Sequence, residues 1–332
     1  MFEFPMSDLI EIAIEKSLYG NKGAICDMCN HMVKAGGKRI RPLLVLYSGL
    51  AFSGLTDELV NASAAAELIH MASLVHDDII DKSNFRRSKP SVNHLWGNHF
   101  SVLCGDYLFA RAFGILSGER LLFSLDLMIE AIENMCEGEI IQAENKFKQD
   151  MDTAAYYRQI SGKTAIFFQC CCRSGAGIGR ANQLQIDAIG EYGLNMGIAF
   201  QIIDDILDFR GDVKAMGKPV GEDLRQGVIT LPVILLLKDV KYGSLVREMI
   251  SNRRIETRDI ETVNSLLDES GAIDEAFAIA DSYIDKARAS LQILPKSDFT
   301  SFLDSLPDML KPVQLQHLKL SHTPEESANM II

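Results

Sequence analysis

The stretch LTDELVNASAAAELIHMASLVHDDIID, Leu55 to Asp81, decides the fold. It is rich in Ala and Leu and poor in β-branched residues, so it predicts a long helix capped at its start by Thr56 or Asp57. It ends on three aspartates, Asp77, Asp78 and Asp81. Helical positions i and i+4 differ by about 40°, which places Asp77 and Asp81 on one face. Such a like-charge pair costs a few tenths of a kcal/mol when exposed. The polar run from Lys82 to Pro90 places the helix end near Asp81, where the negative pole of the helix dipole adds to the cost. Burial would cost far more unless a cation compensates.

The same pattern returns in IAFQIIDDILDFRGD, with Asp204, Asp205 and Asp208 in the same D-D-x-x-D spacing and Gly211 as the expected helix stop. A single such cluster reads as a solvated helix end; two of identical spacing, each closing an apolar helix, do not. Carboxylates so spaced suit Mg²⁺, which takes one or two protein carboxylates and completes its shell with water and ligand phosphate. Two facing clusters would hold several Mg²⁺ around a diphosphate.

An anionic ligand needs bases, and they stand beside glycines or the acidic clusters. GGKRIRP brings Lys38, Arg39 and Arg41; Arg86 and Arg87 follow the first cluster; Lys163 lies in SGKTA and Lys218 in MGKPVGEDLRQG. Each alone would read as a solvated surface base. SGKT is not a P-loop: the first glycine would fall on Tyr157, and no strand precedes it. His70 lies two turns before Asp77 on the same side, and Gln201 three residues before Asp204, so both can face the same cavity.

The rest of the chain fits one all-α domain over 1–332, with about 322–332 as a peripheral tail. RPLLVLYSGLAF is apolar nearly all round and reads as a buried helix. Further helices are expected over roughly 99–117, 121–149, 153–174, 182–209, 230–238, 243–252, 257–269 and 271–293, without strand-turn-strand runs or Gly/Pro/Ser-rich linkers. The chain is 332 residues long and 47% hydrophobic, ample for a large core, and its formal net charge of −12 argues against a general nucleic-acid binder. The first twenty residues mix acids with apolar positions and lack a secretion-signal pattern, and no apolar run approaches a membrane span. A cytoplasmic protein is expected. The seven cysteines include a C-x-x-C at Cys26 and Cys29 and a run at Cys170–Cys172. Consecutive helical residues point about 100° apart, so that run cannot chelate as a unit. Reduced cysteines packed as small apolar residues are expected.

Taken together, GGKRIRP, HMASLVHDDIID, Arg86–Arg87, GDYLFARAF, SGKTA, QIIDDILDF and GKPVGEDLRQGVITLP resemble the trans-isoprenyl diphosphate synthases, the polyprenyl synthetase family. HMASLVHDDIID and DLRQG-x-x-TLP look most like the catalytic large subunit of bacterial heptaprenyl diphosphate synthase and its long-chain relatives. The resemblance implies helices around a deep central cavity, and a dimer, either of like chains or with a small regulatory subunit. It implies Mg²⁺ on Asp77, Asp81 and Asp204, about three ions per site with substrate bound, supported by Asp78, Asp205 and Asp208. It implies that Arg86, Lys163, Thr164, Gln201 and Lys218 hold an allylic diphosphate, and that Lys38, Arg41, His70 and Arg87 hold isopentenyl diphosphate. The expected reaction is successive 1'-4 head-to-tail condensation with loss of diphosphate, the product passing on to the membrane, where it could serve as a quinone side chain. Many relatives carry a further lysine near Gly227 or Val228, and this chain has none there.

An isoprene unit is about as long as one helical turn, 5.4 Å. Ala72 and Ser73, five and four residues before Asp77, are then the first positions that could stop a growing chain, and both are small. Ala64 to Ala66, deeper, are small too. The expected product is about C30 to C40, with Phe123, Met128 and Met135 as candidate floors. The alternatives are a shorter farnesyl or geranylgeranyl synthase, a terpene cyclase, and a non-catalytic partner subunit. The intact DDILD speaks against a cyclase, and the two intact clusters against a non-catalytic subunit.

Overall fold

A computed structural model describes residues 6–18, 20, 22–87, 89–117, 121–211 and 220–310. The chain is all-α. Its elements run α1 (Ser7–Leu18), α2 (Ala24–Lys34), α3 (Ile40–Leu50), α4 (Asp57–Ile80), a hairpin of β1 (Phe85–Arg86) and β2 (Lys89–Pro90), α5 (Val92–Leu116), α6 (Leu122–Glu144), α7 (Thr153–Ile160), a π-helical turn (Ser161–Ala165), α8 (Ile166–Ile178) and α9 (Gln183–Arg210). Among the described residues there follow α10 (Glu222–Arg225), α11 (Leu231–Lys238), α12 (Gly243–Ser251), α13 (Thr257–Glu269), α14 (Ala272–Leu291) and α15 (Asp298–Leu310).

Local chemistry sets the long helices. Thr56 caps α4, its hydroxyl accepting from the Leu59 N–H, and α4 closes with Asp81 as its C-cap. Asn182 and Gln185 form a reciprocal capping box at the start of α9, and Gly211 ends it. α3 is buried along most of its length, as its apolar sequence requires. The two acidic clusters therefore stand at the C-terminal ends of α4 and α9.

Several expectations needed adjustment. The helix expected over 99–117 starts at Val92 and breaks at Gly97, whose φ of 80° no helix accommodates. The single helix expected over 153–174 is three pieces, because SGKTA adopts a π turn between α7 and α8. α1, α2, α10 and α15 lie outside the expected helices. The hairpin pairs Phe85 with Pro90 and Arg86 with Lys89; strands this short leave no alternating pattern. The tail at 322–332 and Lys218 lie outside the described residues.

Two apolar clusters form the core. One joins α1–α6, α8, the first part of α9 and the end of α14. The other joins α7, the second part of α9, α11–α13 and the rest of α14. Ala64, Ala65, Ala66 and Ala72 all sit in the first, with no exposed surface. All seven cysteines are free; Cys29, Cys104 and Cys170–Cys172 are buried among apolar side chains, Cys26 is half-buried and Cys136 is exposed.

Candidate active site

The ends of α4 and α9 face one cavity of about 310 Å³. α4 contributes His70, Ser73, Asp77 and the capping Asp81; α9 contributes Phe200, Gln201, Asp204 and Asp205. α6 adds Met135, Glu139 and Gln142, and the π turn adds Lys163 and Thr164. Arg41 from α3 and Arg86 from the hairpin complete the basic wall.

The six aspartates divide by role. Asp77 and Asp81 line the cavity one turn apart. Burial pushes the Asp77 carboxyl up from its ordinary 3.8 to about 6, with Glu139 and Asp81 reinforcing and Lys163 and Arg86 opposing. Asp78 is buried behind them, where its Oδ1 accepts from Arg86 Nε and Nη2, each at 2.8 Å. It therefore aims Arg86. Asp204 is exposed to the cavity. Asp205 is buried, and burial together with Asp223 raises its carboxyl well above the usual range. Asp208 turns to the backbone, its carboxylate accepting from Glu222 N at 3.2 Å and Asp223 N at 3.3 Å. It thus orders the chain that brings Asp223 to the cavity wall.

The bases are held as firmly. The Arg41 guanidinium lies 5.1 Å from the ring centroids of both Phe167 and Phe168. Its Nη1 stands 3.2 Å from His70 Nε2. Burial, and then Arg41 itself, hold the His70 pKa well below the ordinary value, so the ring is neutral. Nε2 must accept from Arg41, which leaves the proton on Nδ1. Lys163 Nζ lies 2.6 Å from Glu139 Oε2 and donates to Gln142 Oε1 at 3.2 Å. Burial alone would lower its pKa; Glu139 and Asp77 outweigh that and keep it charged. Thr164 Oγ1 donates to Gln201 Oε1 at 2.8 Å.

Some sequence-derived residues stand elsewhere. Lys38 lines an adjoining groove that shares Asp204 and Phe200 with the cavity. Arg87 lines a small pocket that shares Arg86 and Leu74 with it. There its guanidinium lies against Gly37, where an added Cβ would come within 2.5 Å of Nη1 and would push the guanidinium aside. Arg39, read as part of the anion-binding run, is sequestered: it is 2.6 Å from both Glu11 and Glu67. Ser73 lines the cavity, but Ala72 does not, being buried in the core. Among the proposed floors Met135 reaches the cavity, Met128 is fully buried, and Phe123 is exposed and covers Gly177.

The residues not anticipated are Glu139, Gln142, Gln159, Tyr156 and Asp223. Each acts across helices far apart in sequence, so no local spacing marks it. Among the described residues no three His, Cys, Asp or Glu side chains converge as a metal centre. The donors still fit a hard divalent ion, because paired carboxylates opposite Lys163, Arg41 and Arg86 suit an ion whose remaining ligands arrive with a phosphate.

Comparison with known proteins gives the family and the fold. The polyprenyl synthetase family model matches residues 22–267. The chain is 34% identical to heptaprenyl diphosphate synthase component 2 of Geobacillus stearothermophilus, covering 92% of this chain and 96% of that one. It is also 34% identical to geranylgeranyl diphosphate synthase of Saccharolobus solfataricus, over 82% of this chain and 84% of that one. Among solved structures, a polyprenyl synthase from Caulobacter crescentus, complexed with calcium and isoprenyl diphosphate, superposes with a TM-score of 0.85 at 32% identity, covering 91% of this chain and 93% of that one.

Proposed function

The chain belongs to the polyprenyl synthetase family of prenyltransferases, and from that premise we propose that it extends an allylic prenyl diphosphate by successive condensations with isopentenyl diphosphate. The observation that carries this reading is the single cavity in which Asp77, Asp81 and Asp204 face Arg41, Arg86 and Lys163. We take Mg²⁺ as the ion, held by these three aspartates. When bound, it supplies positive charge to the departing diphosphate.

The protein's own groups do the remainder. Lys163, Thr164, Gln201 and Arg86 hold the allylic diphosphate, with Lys218 as a further expected contact, and the two cations stabilise the charge that develops as the C1–O bond breaks. Arg41 and the Nδ1–H of neutral His70 hold isopentenyl diphosphate. Lys38 and Arg87, on the adjoining spaces, add charge at its margins. The apolar wall of Met135, Phe200 and Leu74 keeps water from the allylic cation. The double bond of isopentenyl diphosphate attacks C1, a C2 proton passes to the released diphosphate, and the product is again allylic.

The product is expected at about C30 to C40, because no bulky residue closes the cavity at the position one turn from Asp77. Equal identity to a heptaprenyl and a geranylgeranyl synthase does not decide the length, so mutation must. Ser73→Phe is expected to shift products by several isoprene units downward, read by chromatography of the dephosphorylated products; an unchanged distribution would remove Ser73 from the path. Ala72→Phe should instead overpack the core and cost about 1–3 kcal/mol of stability.

A second prediction concerns pH. Asp77 titrates near 6 in the metal-free fold, above its ordinary 3.8. The folded state then holds this proton more tightly than the unfolded chain. The stability this gives is complete below the ordinary pKa and is lost as pH rises through about 6. Ion binding needs the ionised form and runs the opposite way. The rise in melting temperature on adding Mg²⁺ and inorganic pyrophosphate should therefore grow between about pH 5 and pH 7. An increment independent of pH would contradict the assignment of Asp77.

The single-domain reading remains part of the proposal, since α9 and α14 serve both apolar clusters. So does a homodimer, supported by exposed Phe100, Leu103, Ile129 and Ile140 on α5 and α6. A small regulatory subunit is the alternative partner, suggested by the "component 2" in a relative's name. Among the described residues no helix is long and apolar enough to cross a membrane; the cytoplasm as site of action remains part of the proposal.

A further inference from the structure

Asp205 stands at the cavity wall yet is only 3% exposed. Both of its oxygens are engaged. Tyr156 Oη donates to Oδ2 at 2.6 Å, and Gln201 Nε2 donates to Oδ1 at 2.9 Å. The other end of the same amide, Gln201 Oε1, accepts from Thr164 Oγ1 at 2.8 Å. A continuous relay thus runs from α7 through α9 to the π turn. Tyr156 itself is fully buried.

We propose that Tyr156 is a positioning residue, which through Asp205 fixes the Gln201 amide for the allylic diphosphate, with Thr164 closing the relay on Gln201 Oε1, and that Asp205 is the hub of this relay rather than an ion ligand. The inference rests on the allylic-diphosphate reading of Thr164 and Gln201 given above.

The chemistry of the groups supports it. Burial raises the Asp205 carboxyl, but the hydrogen bonds from Tyr156 and Gln201 oppose that rise, and both oxygens accept, one from the hydroxyl and the other from the amide, as the ionised form does. With Nε2 committed to Asp205, Gln201 must turn Oε1 toward Thr164, and the amide orientation follows from the network. If Asp205 turned to an ion, a buried phenol and a buried amide would lose their acceptor, which is costly. Without the Tyr156 hydroxyl, one Asp205 oxygen loses its partner in the interior, the carboxylate can rotate, and Gln201 is released.

The test is Tyr156→Phe, which keeps the ring and removes only the hydroxyl. The KM for farnesyl diphosphate should rise about tenfold, while kcat stays within about threefold and the half-saturating Mg²⁺ concentration does not move. Calorimetric binding of farnesyl diphosphate without isopentenyl diphosphate should show the same weakening in Kd. Asp205→Asn carries the test if the first variant does not fold. Its amide can take the tyrosine hydroxyl, but its NH₂ then meets that of Gln201, so the same KM should rise. A lowered melting temperature with unchanged KM and Kd would make Tyr156 merely structural and overturn the inference. So would a shift in half-saturating Mg²⁺ for Asp205→Asn, which would make Asp205 a ligand. An active wild type with unaffected variants refutes only this inference; an inactive wild type refutes the reading beneath it, and both fall.

Discussion

Replacing Asp77 with Asn is expected to lower kcat for prenyl transfer by a factor of about 10²–10³ without lowering the melting temperature of the metal-free protein. The two effects have one cause. Asp77 is placed where its charge is unfavourable, and burial, Glu139 and Asp81 together raise its pKa to about 6. An amide of the same shape relieves that cost in the empty site but cannot serve as an anionic ligand. Turnover at saturating substrates and Mg²⁺, with thermal melts of the metal-free protein, reads both effects. Activity within about threefold of wild type would remove Asp77 from the proposed ion site.

Gly138→Ala should be nearly as damaging, although residue 138 touches no substrate. A Cβ there would lie 2.5 Å from Lys163 N, 3.0 Å from Gly162 C and 3.1 Å from Gln159 O. The reverse contact is as close: a Cβ on Gly162 would lie 2.9 Å from Asn134 O and 3.2 Å from Gly138 Cα. Every one of these neighbours is backbone, so no flexible side chain can move aside. α6 and the π turn meet backbone to backbone, and that turn presents Lys163 and Thr164. A methyl group wedged between them should cost about 1–3 kcal/mol of stability. Displacing the turn by about 1 Å should cost about 10²-fold in activity. Gly114→Ala is the matched control, since a Cβ there meets nothing within 4 Å; it should leave activity unchanged. Near-wild-type activity in Gly138→Ala would mean that the π turn does not set the geometry of the site.

The two acidic clusters were legible because their signal is local. Identical spacing at two helix ends defines faces through the helical period alone; Asp77, Asp81 and Asp204 do meet at one cavity, whereas Asp208, expected on the Asp204 face, turns to the backbone of Glu222 and Asp223. The long core helices were legible for the same reason. The π turn was not, because SGKTA carries no propensity signal distinguishing it from an α-helical turn. The hairpin was hidden by its brevity. Charges misled where their partners were remote: Arg39 sits in a basic run but is neutralised by Glu11 and Glu67. Ala72 and Ser73 show the limit of counting residues from Asp77. Both are small and adjacent, yet a 100° step per residue sends one into the core and the other into the cavity. Glu139, Gln142 and Tyr156 needed the tertiary fold, since each meets its partner across helices.

The central claim is that this chain elongates an allylic diphosphate at the cavity between α4 and α9. The most direct test incubates the purified chain with farnesyl diphosphate, radiolabelled isopentenyl diphosphate and Mg²⁺, and sizes the products. The account predicts incorporation that stops when the ion is chelated, with products of about C30 to C40. No incorporation by the chain alone, or incorporation unaffected by chelation, would contradict it.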